Sequence, residues 1–211
     1  MADKIKTVIF TVVVTAVFAM LVSGVNAALT DRITANQTIA RQRVIVSLFE
    51  LGSDKEVLAD KEVTELFSKS VESVTFKSQP ELEAYKIVGS AERNYVIAFS
   101  GQGFWDAIVG YMVINPDKLK LNGIEFTAHG ETPGLGGRIS EPEFKSRLKD
   151  RDISAKRSDG LRLKFVSEGS ASKDDEVDGI TGATGTSSAV EKIINRAIEN
   201  FLSIEKGGTE S

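Results

Sequence analysis

The chain has 211 residues, 41% of them hydrophobic and 27% charged, and its 26 basic against 30 acidic side chains leave a net charge of −4. That balance, with no run of Lys or Arg, excludes the electrostatic footprint of a nucleic-acid-binding protein. The absence of cysteine excludes disulfides, thiolate chemistry and iron–sulfur ligation by this chain, and the single histidine, His129, excludes a His-rich metal site, so any redox chemistry must come from an organic cofactor.

Residues 1–6 form a short tail with Lys4 and Lys6, and no charge follows from Thr7 to Thr30. As a helix, residues 7–30 would reach roughly 36 Å, enough to cross a hydrocarbon core of about 30 Å. They are predicted to be a transmembrane anchor. A cleavable signal peptide is the rival, because Lys4 and Lys6 supply a basic start and Val25-Asn-Ala27 an acceptable cleavage site. Against cleavage, neither Gly nor Pro occurs from Val25 to Leu51, and Ile33, Ala40, Val44, Leu48 and Leu51 keep a helical stripe. Residues 31–52 are therefore predicted as a juxtamembrane helix that Gly52 ends. Charge does not decide its orientation, since Lys4 and Lys6 are matched by Arg32, Arg41 and Arg43.

Residues 53–204 read as one domain and residues 205–211 as a loose tail. Asp60 is a candidate N-cap for a short helix with Val63, Leu66, Phe67 and Val71 on one face. Short runs of β-formers follow at Val74-Phe76, Ala84-Val88, Tyr95-Phe99, Ile108-Ile114 and Ile124-Ala128, with turn signals at Asn115-Pro-Asp117 and Asn122-Gly123. Closely spaced strands joined by tight turns predict a twisted, mainly antiparallel sheet, and helices at both ends make the fold class α+β. Gly169-Asp175 reads as loose.

The chemistry concentrates in three segments. Gly101-Gln-Gly103-Phe-Trp105 sets the only Trp in a glycine-rich turn, and Asp106 in place of a third Gly removes any dinucleotide fingerprint. His129-Gly-Glu131-Thr132-Pro-Gly134-Leu135-Gly-Gly137 follows a strand, as an ordinary surface turn would. His129 reads as strand-end packing. Asp178-Gly179-Ile180-Thr181-Gly182-Ala183-Thr184 then runs through Gly185, Thr186, Ser187 and Ser188 into a helix whose buried face is Val190, Ile193, Ile194, Ala197, Ile198, Phe201 and Leu202. The unpaired N–H groups of that helix start, beside glycines and hydroxyls, suit a phosphate. The same residues also fit a plain helix start with Thr186 or Ser187 as N-cap. No Lys follows the glycines, which disfavours a P-loop.

The last segment resembles the D-x-x-[ST]-G-A-T signature of FMN-binding domains, a family that includes the C subunit of the Na⁺-translocating NADH:quinone reductase (Nqr) and the G subunit of the Rnf complex. The segments at 101–105 and 129–136 are similar to G-x-G-[LFY]-W and H-G-E-T-P-G-L-G of the same family. The resemblance implies that a flavin transferase esterifies Thr184 with the phosphate of FMN, and that Asp178 to Ala183 form the attachment motif. It implies Trp105, Glu131, Thr132, Gly134 and Leu135 as flavin-pocket residues and gives no metal site. It implies an electron-carrying subunit on the extracytoplasmic side of a prokaryotic cytoplasmic membrane, partnered by the other subunits of the complex and completing no reaction alone. Gly185 departs from the family, where an aliphatic or hydroxyl residue is commoner. A domain binding a phosphorylated ligand non-covalently, and a structural subunit with a vestigial site, are the alternatives.

Overall fold

The computed structural model describes residues 2–51 and 58–206, and Gly52, read as the end of the long helix, lies outside them. The chain divides into two compact units, Met1–Arg41 and Gln42–Ser211. Helix α1 is Ala2–Leu48, and its N-terminal part is long and apolar enough to cross a membrane. In the first unit the threonine hydroxyls of Thr7, Thr11, Thr30, Thr34 and Thr38 each donate to the carbonyl four residues earlier, so their polarity is satisfied without water.

In the second unit α1 ends at Leu48, ahead of Gly52. Glu50 adopts φ +54°, its N–H donates to Ser47 O and that of Leu51 to Val46 O, the paired bonds of a Schellman end. Helix α2 is Asp60–Ser70. Its N-cap is Ala59, not Asp60; Glu62 accepts the Ala59 N–H at 2.9 Å, and Asp60 instead takes Arg43 Nη2 at 2.7 Å. A carboxylate with a guanidinium in reach forms the ion pair, and the cap passes to its neighbour.

Strands β1 (Val71–Phe76), β2 (Gln79–Ile87), β3 (Tyr95–Gln102), β4 (Ala107–Asn115), β5 (Lys120–Ala128) and the short β6 (Arg151–Asp152) form one antiparallel sheet in sequence order. Strands β7 (Lys164–Val166) and β8 (Glu176–Asp178) pair in parallel as a separate ribbon. The α+β class holds. Central strands β3 and β4 are buried on both faces: Tyr95, Ile97, Phe99, Ile108, Met112 and Ile114 join the larger core, while Val96, Tyr111 and Val113 pack with Ile45 and Phe49 at the end of α1. This double burial is why their sequences run apolar without alternation. Asn122-Gly123 is not a turn but lies within β5, where Gly123 pairs with Val113. The turn lies earlier, where Asn115 Oδ1 accepts the Lys118 N–H at 2.8 Å.

A 3-10 turn (Gly136–Ser140) and helix α3 (Pro142–Ser146) lead to the last helix, α4 (Thr184–Lys206). Val190, Ile194, Ile198, Phe201 and Leu202 of α4 are at most 3% exposed, as the periodicity predicts. Beside that face runs a polar ladder at four-residue spacing. Ser187 Oγ accepts the Ile180 N–H, Glu191 the Phe165 N–H, and Asn195 Oδ1 the N–H groups of Arg162 and Leu163. These side chains supply acceptors to backbone outside the large sheet, so that buried irregular chain stays satisfied. The stretch 169–175 is also anchored: Asp178 Oδ1 accepts from Ser170 and Ala171, and Glu176 from Ser172.

Candidate functional site

The attachment segment is a tight loop between β8 and α4. Gly179 N–H donates to Val166 O at 2.8 Å and Ala183 N–H to Ile180 O at 3.0 Å. Gly182 turns the chain upward at φ +79°, a conformation glycine adopts without a Cβ penalty. Ala183 O accepts the Ser187 N–H at 2.9 Å, so α4 starts at Thr184. Thr186 and Ser187 therefore lie inside the first turn and neither is the N-cap; their hydroxyls serve Glu131 and Ile180 instead. Thr184 is exposed on the first turn, where the leading N–H groups of a helix have no helical acceptor.

The other two segments meet this helix start. The β3–β4 hairpin tip is closed by Gly103 N–H to Asp106 O at 2.8 Å and carries Phe104 and Trp105, 59% and 66% exposed, in an edge-to-face pair at 5.2 Å. Phe104 occupies the space over Gly185: a Cβ there would come within 2.4 Å of its ring. In the 131–135 loop, Thr132 O accepts from Leu135 and Gly137, Gly134 has φ +74°, and Leu135 projects with 46% exposure. Leu135 Cδ2 lies 3.4 Å from where a Cβ of Gly182 would stand, so this loop abuts the attachment turn. Glu131 is buried at 4% exposure, with Oε1 accepting the N–H groups of Phe104 and Trp105 and Oε2 the Thr186 hydroxyl. His129 packs beside it, accepting the Glu131 N–H at Nδ1 and bonding Ser140 through Nε2.

Two cavities flank the start of α4. One, of about 360 Å³, is lined by Glu168, Gly179, Thr181, Gly182, Thr184 and Ser188. The other, of about 390 Å³, lies between Gln102–Phe104 and the α4 residues Ser188, Lys192 and Arg196. Glu168 accepts the Thr181 N–H and the Arg147 guanidinium, and these, the backbone bond first, hold its carboxyl down at about 2. Arg147 also donates to the carbonyls of Gly179 and Asp178 at 2.6 and 3.2 Å, fixing the start of the motif. The structure thus brings Trp105, Thr132, Gly134, Leu135 and Thr184 to one surface, with Glu131 beneath it. Sequence reasoning missed Phe104, although it stands inside the 101–105 motif. It missed Arg147 and Glu168 because they lie in stretches without any motif.

Residues 103–199, which take in all but the first two residues of the three segments, match the model of the FMN-binding domain. These residues belong to the FMN-binding domain family. Proteins similar to this chain include the C subunit of the Na(+)-translocating NADH-quinone reductase of Pasteurella multocida, 37% identical over 51% of this chain and 42% of that protein. The corresponding C subunit of Pseudomonas aeruginosa is 24% identical over 90% of this chain and 89% of its own length. The G subunit of the proton-translocating ferredoxin:NAD(+) oxidoreductase complex of Clostridium ljungdahlii is 33% identical over 56% of this chain and 59% of its own. The chain thus spans about half the length of the first and the third of these relatives. The crystal structure of the reductase C subunit from Parabacteroides distasonis shares the fold, with a TM-score of 0.69 at 20% identity over 83% of this chain and 96% of that one.

Proposed function

We propose that this chain is an electron-transfer subunit that carries FMN as a phosphoester on Thr184, within an ion-translocating complex of the Nqr or Rnf kind. The observation that carries the reading is the convergence of the Phe104–Trp105 tip, Leu135 and an exposed Thr184 on one helix start. FMN fits the residues present. Its phosphate suits the free N–H groups at Thr184, Gly185 and Thr186, and its ring suits the exposed Trp105 and Leu135, which otherwise leave apolar surface in water. Once bound, FMN supplies one- and two-electron chemistry in its ring. The chain's own residues do the rest. Thr184 Oγ provides the tether, which keeps the cofactor at high local concentration without dependence on supply. Gly182 lets the backbone turn close to the phosphate, and Arg147 with Glu168 holds the loop's carbonyl and N–H groups in place.

In this proposal residues 7–30 span a prokaryotic cytoplasmic membrane, residues 31–48 continue α1 as a juxtamembrane helix, and the chain from 53 to the end of α4 forms the extracytoplasmic domain. The partners are the remaining subunits of the complex and a flavin transferase. No complete reaction is expected of this chain alone. Purified protein on a denaturing gel under ultraviolet light tests the reading: a fluorescent band that Thr184→Ala removes supports it. Flavin that is lost on denaturation would leave only non-covalent binding of a phosphorylated ligand.

A further inference from the structure

We propose that Glu131 is a positioning residue: a buried latch that fixes the Trp105 hairpin tip to the first turn of α4 and thereby sets the spacing between Trp105 and Thr184. Three segments meet at its carboxylate. Oε1 accepts Phe104 N–H at 2.8 Å and Trp105 N–H at 3.1 Å, and Oε2 accepts the Thr186 hydroxyl at 2.5 Å. The third segment is Gly136, and the fit leaves no room for more. A Cβ on Gly103 would lie 2.5 Å from Oε1, and one on Gly136 would lie 2.3 Å from Thr186 Oγ1 and 2.8 Å from Oε2.

The chemistry calls for an acceptor shared by the two N–H groups of the tip, which a carboxylate supplies. All three partners are donors and an ionised carboxyl is the one side chain that only accepts, so each oxygen is matched without a competing hydrogen. Among the described residues no cation pairs with it, which leaves these bonds to offset the cost of its burial. An apolar replacement would strand two N–H groups and a hydroxyl. Such a site is costly to build beneath two aromatic rings that are themselves more than half exposed. Packing of the chain's own core does not need those rings. Their fixed position serves what binds over them, which on the FMN reading is the flavin; that last step alone rests on the reading.

Trp105 is the only tryptophan, so its fluorescence reports on the tip. The first arm uses the full chain made flavin-free by Thr184→Ala. There Glu131→Ala should speed the decay of Trp105 anisotropy, since losing a hydrogen bond to a charged group raises the population of displaced tip about tenfold. Glu131→Gln should stay close to the parent, because its Oε1 still accepts both N–H groups and its amide can donate to Thr186 Oγ. Thr186→Val, which cuts one bond at nearly equal volume, should fall between them, and adding it to Glu131→Ala should change nothing further. The second arm uses flavinylated protein, in which Glu131→Ala should weaken the quenching of Trp105 by flavin while Glu131→Gln does not. Should Glu131→Ala fail to fold, the Thr186→Val and Glu131→Gln results still decide. Anisotropy unchanged in Glu131→Ala or in Thr186→Val, or as fast in Glu131→Gln as in the Ala variant, overturns the latch. A wild-type protein without flavin would sink the FMN reading and leave the first arm standing.

Discussion

Replacing Gly134 by alanine separates what its loop costs the fold from what it does for a flavin. Gly134 has φ +74°, and no atom lies within 4 Å of where its Cβ would stand. The penalty within the chain is therefore conformational, about 1–2 kcal/mol for an L-residue in the left-handed region, partly offset by about 0.4–1 kcal/mol from a stiffer unfolded chain. A net loss of about 1 kcal/mol lowers the melting temperature of a domain this size by about 2–4 °C. Gly160 is a matched control: φ +82°, nothing within 4 Å, and a place in the turn closed by its N–H to Arg157 O, away from both cavities. Melting would be followed by far-UV dichroism in the flavin-free Thr184→Ala background. Flavin content, absorption spectrum and reduction potential would be measured with Thr184 intact. Both alanine variants should melt alike, and only Gly134→Ala should lose flavin or shift its potential, because the added methyl enters the space assigned to the cofactor. If the two variants match in every flavin property, the 131–135 loop is no wall of the site. If Gly134→Ala is much the less stable in flavin-free protein, the open space at its Cβ is wrong.

Further outcomes follow from single residues. Intact-mass measurement should show one covalent FMN, absent in Thr184→Ala and retained in Thr181→Ala; an adduct surviving Thr184→Ala refutes the assignment. Glu168 has its carboxyl lowered from 4.5 to about 2 by Thr181 N–H and Arg147. Its contribution to stability is therefore present above the unfolded value and fades as pH falls from 4.5 towards 2. Urea midpoints measured across that window should fall less steeply in Glu168→Gln, and an unchanged slope would count against the interaction. Asn195→Leu strands the Arg162 N–H and both backbone groups of Leu163, and should cost about 3 kcal/mol in urea unfolding. The full chain should stay with membranes through alkaline washing, and an N-terminus beginning at Ala28 would establish cleavage instead.

Several features were set by residues adjacent in the chain and could be read from it directly. The buried stripe from Val190 to Leu202, the uncharged run from Thr7 to Thr30 and the order of apolar runs that became β1 to β5 depend on periodicity and composition, which local sequence records in full. The three glycine-rich segments were legible as motifs, because close approach of backbone to a ligand constrains consecutive residues. The tertiary structure decided what depends on remote partners. Asn122-Gly123 has turn chemistry, yet pairing of β5 with β4 holds it in a strand. Arg43, from α1, draws Asp60 away from the cap, and Glu50 ends α1 before Gly52 is reached. The resemblance implies Glu131 as a pocket residue, yet only the fold brings it the donors of Phe104, Trp105 and Thr186, between 26 and 55 positions away. Arg147 and Glu168 carry no signal at all by themselves, since an arginine and a glutamate in a polar stretch are ordinary surface residues. Only the folded chain sets them against Gly179 and Thr181, because a hydrogen bond's worth depends on burial and geometry that no local window contains.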